Sequence, residues 1–347
     1  MSNSSHRWVK EPGPRIAGCR DLDHAKVQAP GVIEDPSGGF RLFYTGIGRG
    51  RPFAACQGYI LSAFSEDGLN FVPDHGIRLA PDPEVDHGSV RLLAPTITAT
   101  AEGSWRMYFE SRGPVQMPTV IGSAISHDLL RWEREEGIRF AAAGGVGGPS
   151  FVSLPDGRGR LYCFESRFDS AGLAQGNRLS QSVISAVTSD GLFFEREPGY
   201  RVEDGSSQQE GKGITSAAVI MPPNGEDPWV MLYSAWQDLP PGVQRPPHPS
   251  DDSEAVAGGE DFATASIASD MAGYRSRIFT ASSTDGLTWV REGCVIEGDG
   301  YGQVGIDAVH AEDMSLIRLE EGGLRMYYAA CDQSGNWCVA SARATVA

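Results

Sequence analysis

Three histidines stand beside carboxylates at distant points of the chain, and together they could perform acid–base chemistry or bind a metal. His24, His87 and His310 occur in "DLDHAKVQAP", "EVDHGSVRLLAP" and "DAVHAED". Imidazole titrates near neutral pH, and imidazole with oxygen ligands suits zinc, iron or manganese. These residues predict either an acid–base set or one divalent metal ion as cofactor. The alternative is that each Asp–His pair only caps a loop.

Carboxylates and arginines extend this candidate site. Glu312 and Asp313 follow His310, whereas Glu110 and Glu165 lie in two similar segments, "FESR" and "FESRF". We expect Glu110 and Glu165 to occupy the same position in two structural repeats, either as catalytic groups or as partners of the arginines that follow them. The candidate catalytic residues are His24, His87, His310, Asp313, Glu312, Glu110 and Glu165, and the candidate substrate-binding residues are Asp86, Arg91, Arg112, Arg167 and Trp236.

A recurring phrase indicates which elements would position these residues. Residues 282–296 read "SSTDGLTWVREGCVI", and related phrases occur as "AFSEDGLNFVPDHGI", "AISHDLLRWEREEGI" and "AVTSDGLFFEREPGY". Such recurrence is typical of repeat architectures, in which each unit needs its neighbours to bury its apolar face. We expect an aspartate in each phrase to accept hydrogen bonds from turn amides, and an aromatic residue after it to wedge between units. The aspartates are Asp67, Asp128, Asp190 and Asp285, and the aromatic residues are Trp132, Phe194 and Trp289.

Two further phrases complete the repeating unit. Aromatic runs such as "RLFYTG" and "WRMYFES" are typical of strands, and each is entered through a turn rich in Gly, Pro or Asp. A small apolar phrase upstream of each run, such as "VQAPGVI" or "LLAPTIT", suits an inner strand. Four antiparallel strands occurring five times predict an all-β, five-bladed β-propeller in a single domain, a fold that protects its sheet edges.

The predicted blades divide the whole chain. They cover residues 27–80, 92–140, 146–203, 214–297 and 311–343, and residues 6–16 would add the last strand of the fifth blade and so close the ring. The fourth blade contains a long segment, 236–274, that is rich in Pro, Gly and acidic residues. A loop of this length predicts either a lid or a disordered insertion.

Composition limits the partners that the protein could have. A net charge of -16 argues against nucleic acid and anionic membranes, because both require a basic surface. The six cysteines lack CxxC spacing and several lie in apolar runs, which predicts reduced, buried thiols. The first residues lack the apolar core of a secretory signal, and no run approaches a membrane span. We therefore expect a cytoplasmic protein with a small-molecule substrate.

The five-fold pattern resembles a known superfamily of five-bladed propeller glycosidases that includes arabinanases, xylosidases, invertases and levansucrases. "LLAPTIT" and "GGPSFV" open units and S-x-D-G-x-x-W closes them, and the resemblance covers the whole chain. It implies two carboxylates acting across a glycosidic bond, with a third that tunes a pKa. In that family these acids open blades, often as Asp-Pro. The corresponding pairs here are Ala29-Pro30, Ala94-Pro95, Gly148-Pro149 and Ser216-Ala217, so that only the fifth blade has an acid, Asp313, at this position.

Three functions are compatible with these residues. The first is a glycoside-hydrolase-like enzyme that acts on a sugar or sugar-bearing small molecule in an axial pocket, by acid–base catalysis with non-standard residues. The second is a non-glycosidic lyase or cyclase of a small metabolite, built on the histidine and carboxylate cluster with or without a metal. The third is a non-catalytic, ligand-binding propeller.

Overall fold

Strands dominate the part of the chain that the computed structural model describes, namely residues 7–48, 57–114, 117–168, 179–203, 210, 213–223, 227–237, 275–298, 304–320 and 322–345. Twenty β-strands and a 3-10 turn at Asp86–Gly88 form its regular structure, which confirms the all-β prediction. Within these ranges no helix has both the length and the apolar character that a membrane crossing requires. Nearly all of the predicted insertion, residues 238–274, lies outside the described residues.

The strands form sets of four antiparallel neighbours. The first set contains β2 (Lys26–Glu34), β3 (Phe40–Ile47), β4 (Gly58–Ser65) and β5 (Val72–Pro73), and the second contains β6 (Arg91–Ala99), β7 (Trp105–Arg112), β8 (Val120–Ser126) and β9 (Glu133–Arg134). The third contains β10 (Val146–Ser153), β11 (Gly159–Phe168), β12 (Leu179–Thr188) and β13 (Glu195–Arg196), and the fourth β14 (Ile214–Ile220), β15 (Trp229–Gln237), β16 (Arg275–Ser283) and β17 (Val290–Ile296). In the fifth, β18 (His310–Arg318), β19 (Leu324–Cys331) and β20 (Trp337–Thr345) are joined by β1 (Arg7–Ala17) from the other end of the chain. The first two sets are linked by one parallel pair, Gly58 with Arg91.

The first strand of each set lies at the centre of the molecule. β2, β6, β10, β14 and β18 contact one another in cyclic order, and together they line a cavity of about 130 Å³, here called the axial cavity. Each of these strands contains a bulge, at which it has one more residue than its partner. This arrangement is consistent with a propeller fold.

The S-x-D-G phrases form turns stabilised by their aspartates, as predicted. The Asp67 carboxylate accepts hydrogen bonds from the backbone N–H groups of Leu69 and Asn70, both at 2.8 Å. Asp128, Asp190 and Asp285 accept the equivalent pairs of bonds. Because these backbone N–H groups bind the charged form, they lower the pKa of all four carboxyl groups, that of Asp285 to about 2.

The turns and their aromatic residues dock onto the preceding set, which confirms the predicted wedges. Trp289 packs edge-on against Tyr162 with ring centroids 6.1 Å apart, and the Tyr162 hydroxyl donates to the carbonyl oxygen of Gly286 at 2.7 Å. Tyr327 in the fifth set donates in the same way to Gly68 in the first, at 2.8 Å. A Cβ atom added to either glycine would lie 2.8 Å from the tyrosine oxygen, so the contact requires glycine.

Two sets lack this pairing of a tyrosine hydroxyl with a turn glycine, and in each the tyrosine is also replaced. In the second set the glycine is replaced by Leu129 at a φ of 63°, and the residue that it packs with on β3 is Phe43, which has no hydroxyl group. In the fourth set the residue equivalent to these tyrosines is Leu232, which packs in an apolar cluster with Ala342 of β20. Among the described residues no turn docks there, because β1, the outer strand of the fifth set, comes from the other end of the chain and is not connected to β20 by a turn.

We expect strong energetic coupling between positions 43 and 129. Phe43→Tyr alone should destabilise the protein by about 1–3 kcal/mol, because the added hydroxyl meets the Leu129 side chain. In a Leu129→Gly background the hydroxyl can donate to the carbonyl of residue 129, a gain of about 1 kcal/mol. Urea unfolding of both single variants and the double variant measures the coupling, and additive changes in the free energy of unfolding would contradict this explanation.

Candidate functional site

The bulges bring one residue of each first strand to the axis, mostly in a backbone conformation that L-amino acids rarely adopt. Ala29, Ala94 and Asp313 have φ values of 50°, 50° and 48°, and Gly148 has 57°. With Ser216, these residues line a cavity of about 30 Å³ that adjoins the axial cavity. Left-handed backbone costs about 1–2 kcal/mol for a non-glycine residue, and strain of this kind clusters at functional sites. Asp313 is the one acidic member of this ring.

Asp313 is held by the fourth set and is difficult to ionise. Its backbone N–H donates to Ser234 Oγ at 3.3 Å. Burial and the nearby charge of Glu312 raise the pKa of Asp313 well above its usual range, and Glu110 acts in the same direction. The charge of Lys26 and a hydrogen bond from Ser216 oppose this shift without cancelling it. Asp313 therefore retains its proton to a higher pH than an ordinary aspartate does.

Glu312 lies beside Asp313 in a different environment. Its Oε2 accepts a hydrogen bond from Trp236 Nε1 at 3.0 Å and lies 3.8 Å from His310 Nδ1. Adjacent strand residues normally point to opposite faces, but at the bulge both Glu312 and Asp313 contact the fourth set. The site thus contains two neighbouring carboxyl groups, one of them disposed to stay protonated.

A buried lysine that we did not predict lies near these acids. Lys26, at the start of β2, is 6% exposed, and its Nζ lies 3.8 Å from the ring centroid of Trp337. His310, the first residue of β18, stacks on the same ring, with ring centroids 5.2 Å apart. The available signal was that Lys26 is one of only three lysines in the chain and directly precedes an inner strand.

The three histidines do not form a metal site. His24 is exposed, His87 is half-buried in the 3-10 turn, and His310 is fully buried with Nδ1 3.1 Å from Ser276 Oγ. Among the described residues, which include all three histidines, no group of three or more His, Cys, Asp or Glu side chains could hold a metal ion. The described residues therefore give no support to the alternative of a metal bound by His24, His87 and His310, whose side chains lie in different environments.

Glu110 has a structural contact with the neighbouring set. Its Oε2 accepts from the N–H of Gly148 at 3.1 Å, and its Oε1 accepts from Arg112 Nε at 2.6 Å. In other sets a hydroxyl group accepts the equivalent hydrogen bond from the neighbouring set. Thr45 Oγ1 accepts from the N–H of Ala94, and Ser234 Oγ accepts from the N–H of Asp313. A hydroxyl group would therefore be enough for this contact. The carboxylate of Glu110 has a further effect, because its charge raises the pKa of Asp313.

Glu165 occupies a different position, contrary to the prediction. Relative to the bulges, the residue equivalent to Glu110 is Phe164, which pairs with Gly147 as Glu110 pairs with Leu93. Glu165 is one residue further along, so its side chain points to the opposite face of the strand. There it receives two hydrogen bonds from Arg196, at 2.7 and 2.9 Å. Glu165 thus pairs across its own sheet and not with the arginine that follows it.

The remaining candidates differ in what they can contact. Arg167 donates to Ser182 and packs over Tyr200, Arg91 is buried, and Asp86 is exposed. Arg112 Nη1 and His87 Nδ1 are buried atoms without a hydrogen-bond partner among the described residues. Buried polar atoms are nearly always paired, so these two are available to a ligand or water.

Asp23 and Asp307, which accompany two of the histidines, have structural partners. Asp23 accepts from the backbone N–H of Arg20 at 2.7 Å, whereas Asp307 pairs with Lys10 at 2.8 Å and with the Tyr328 hydroxyl at 3.0 Å. Asp23 thus caps its loop, as in the alternative interpretation, whereas Asp307 connects its loop to β1 and β19.

Comparison with known proteins identifies the fold. No protein-family model matches the chain, and neither does any curated protein sequence. A solved structure of the GH130 family of mannoside phosphorylases, described as containing glycoside hydrolases that target β-1,2-mannosidic linkages in Candida mannan, aligns with 98% of this chain and 95% of its own, at 14% identity and a TM-score of 0.68. A thermostable family-43 glycoside hydrolase aligns over 96% and 92%, at 15% identity and a TM-score of 0.62.

A third similar structure has a different activity. An N-acetylgalactosamine deacetylase from F. plautii, in complex with blood group B trisaccharide, aligns over 97% of this chain and 95% of its own, at 15% identity and a TM-score of 0.63. At such identities the likeness concerns the fold alone, and function must be argued from the site. The chain shares its fold with these sugar-active enzymes, among them structures from glycoside hydrolase families 130 and 43.

Proposed function

We propose that the chain is a five-bladed propeller, closed by β1, that cleaves a glycosidic bond of a sugar or sugar-bearing small molecule at the axis. The cyclic contacts of the five first strands and the pairing of β1 with β20 support the ring. The sugar-active enzymes among the structural neighbours support the substrate class.

The observation that carries the proposal is an unequal pair of neighbouring carboxyl groups, with Asp313 at the axis and Glu312 beside it. Glycoside hydrolysis needs one carboxyl group that is protonated, to protonate the leaving oxygen, and one that is ionised, to assist water or to attack carbon. Asp313 has the raised pKa of the first, and Glu312 has the charge that helps to raise it. In this proposal Asp313 is the general acid, Glu312 is the ionised partner, and Arg112 with His87 binds sugar hydroxyls.

The test is incubation of the protein with a panel of natural and nitrophenyl glycosides, with NMR detection of the released sugar. Hydrolysis of at least one substrate is expected, together with a bound sugar beside Asp313 in a crystal structure. Failure of every sugar to bind at the axis would contradict the proposal.

A second function, ligand binding without catalysis, is favoured by one observation. Four of the five axial positions are Ala29, Ala94, Gly148 and Ser216, none of which can transfer a proton as a carboxyl group does. In the same experiment this function predicts a bound sugar at the axis and no release of product.

A further inference from the structure

The axial cavity lies on the side of Asp313 away from Glu312 and Lys26. Its lining begins within the bulges or after them, at residues such as Pro30 and Met314, whereas Lys26 and Glu312 precede the bulges of their strands. It shares Pro30, Pro95, Pro149 and Met314 with the small cavity that Asp313 lines. Asp313 therefore lies beside one end of the axial cavity. The side of Glu312 and Lys26, here called the mouth, is where the proposed function places the substrate, and the opposite side is here called the far face.

Hydroxyl groups from three sets line the axial cavity. Thr96 Oγ1 accepts from the N–H of Phe151 at 3.3 Å, and Ser150 Oγ accepts from the N–H of Val219 at 3.1 Å. Ser315 Oγ accepts from the N–H of Val32 at 3.0 Å. Because each oxygen already accepts a backbone bond, its own O–H remains able to donate to a further acceptor.

The cavity is large and polar enough to hold water. A buried water needs roughly 10–15 Å³ of such space and two to four polar partners. The axial cavity offers about 130 Å³ and the three hydroxyl groups. Several water molecules in hydrogen-bonded contact would span the distance from the far face towards Asp313.

We propose that water in the axial cavity carries protons between solvent at the far face and Asp313. The inference rests on the proposed function, in which Asp313 gives its proton to the leaving oxygen while substrate fills the mouth. The Asp313 carboxylate then takes a proton from the adjacent water, that water takes one from the next, and the last takes one from solvent. The net change is the transfer of one proton from solvent to Asp313, without any redox step.

The proton transfer can be tested in the free protein, independently of any substrate. Stopped-flow infrared spectroscopy after a pH jump follows the carboxyl band of Asp313, which is assigned by its loss in Asp313→Asn. Thr96→Val and Ser315→Ala should each slow protonation of Asp313 about tenfold, which corresponds to a barrier increase of about 1.4 kcal/mol, with little change in the equilibrium midpoint.

Two variants of the same strand serve as controls. Thr96→Ser keeps the hydroxyl group and should retain the wild-type rate. Thr98→Val removes an exposed hydroxyl that lies 3.5 Å from Ser153 Oγ and does not line the cavity, and it should also retain that rate. Equal rates in Thr96→Val, Ser315→Ala and wild type would show that protons arrive through the mouth and would overturn the inference, whether or not the protein hydrolyses glycosides.

Discussion

Asp313→Asn is expected to lower kcat on natural glycosides by about 10²- to 10⁴-fold, the usual contribution of a general acid. The amide has nearly the same shape as the carboxyl group but cannot give up a proton to the leaving oxygen. Asparagine also tolerates left-handed backbone, so the φ of 48° at this position remains accessible. The loss should be much smaller for a dinitrophenyl glycoside, because that leaving group departs without protonation. Equal losses for both substrates would exclude Asp313 as the general acid.

The same variant should not be less stable than wild type at neutral pH. The raised pKa means that the folded protein binds more protons than the unfolded chain between the usual and the raised pKa of Asp313. Wild-type stability contributed by this group is therefore full below the usual pKa and is lost as pH rises through the raised one. Asparagine does not titrate, so urea unfolding at several pH values should show a weaker decrease with pH in the variant. Asp156→Asn, on an exposed turn residue, is the matched control for both measurements.

The parts of the structure that could be predicted from the sequence are those fixed by local interactions. The turn aspartates accept bonds from residues two and three positions later, so their role is visible in a short phrase. The small residues of the inner strands likewise indicate their crowded position. Long-range features were not predictable in this way. Whether a histidine is exposed, as His24 is, or stacked on an aromatic ring, as His310 is, depends on residues distant in sequence.

The error at Glu165 has a specific physical origin. The letters "FES" occur in both β7 and β11, but β11 has one more residue than β7 between its tyrosine and its glutamate. Side chains alternate along a strand, so one additional residue is enough to move a carboxylate from one face to the other. The number of residues between an acid and the bulge therefore decides whether its side chain points towards the axis. Similarity of the local sequence does not.

Substitution of the two charged residues that act most strongly on Asp313 should move its titration in opposite directions. The carboxylate of Glu312 raises the pKa of Asp313 and the ammonium group of Lys26 lowers it. Because Glu312 is itself a proposed catalytic group, the shift is read from the infrared titration of the Asp313 carboxyl band and not from activity. The midpoint of this titration should move to lower pH in Glu312→Gln and to higher pH in Lys26→Met. The other groups that act on Asp313, Glu110 and Ser216, are unchanged in both variants.

The double variant distinguishes this electrostatic effect from a local rearrangement. Glu312→Gln with Lys26→Met removes one charge of each sign, so the titration midpoint of Asp313 should lie between those of the two single variants. The amide oxygen introduced by Glu312→Gln can still accept the hydrogen bond from Trp236, which limits structural change. Shifts of both single variants in the same direction would mean that these two charges do not control the titration of Asp313. Both substitutions replace a charged side chain with an uncharged one of similar size. The difference between the two pKa shifts therefore measures how much more strongly one charge acts on Asp313 than the other.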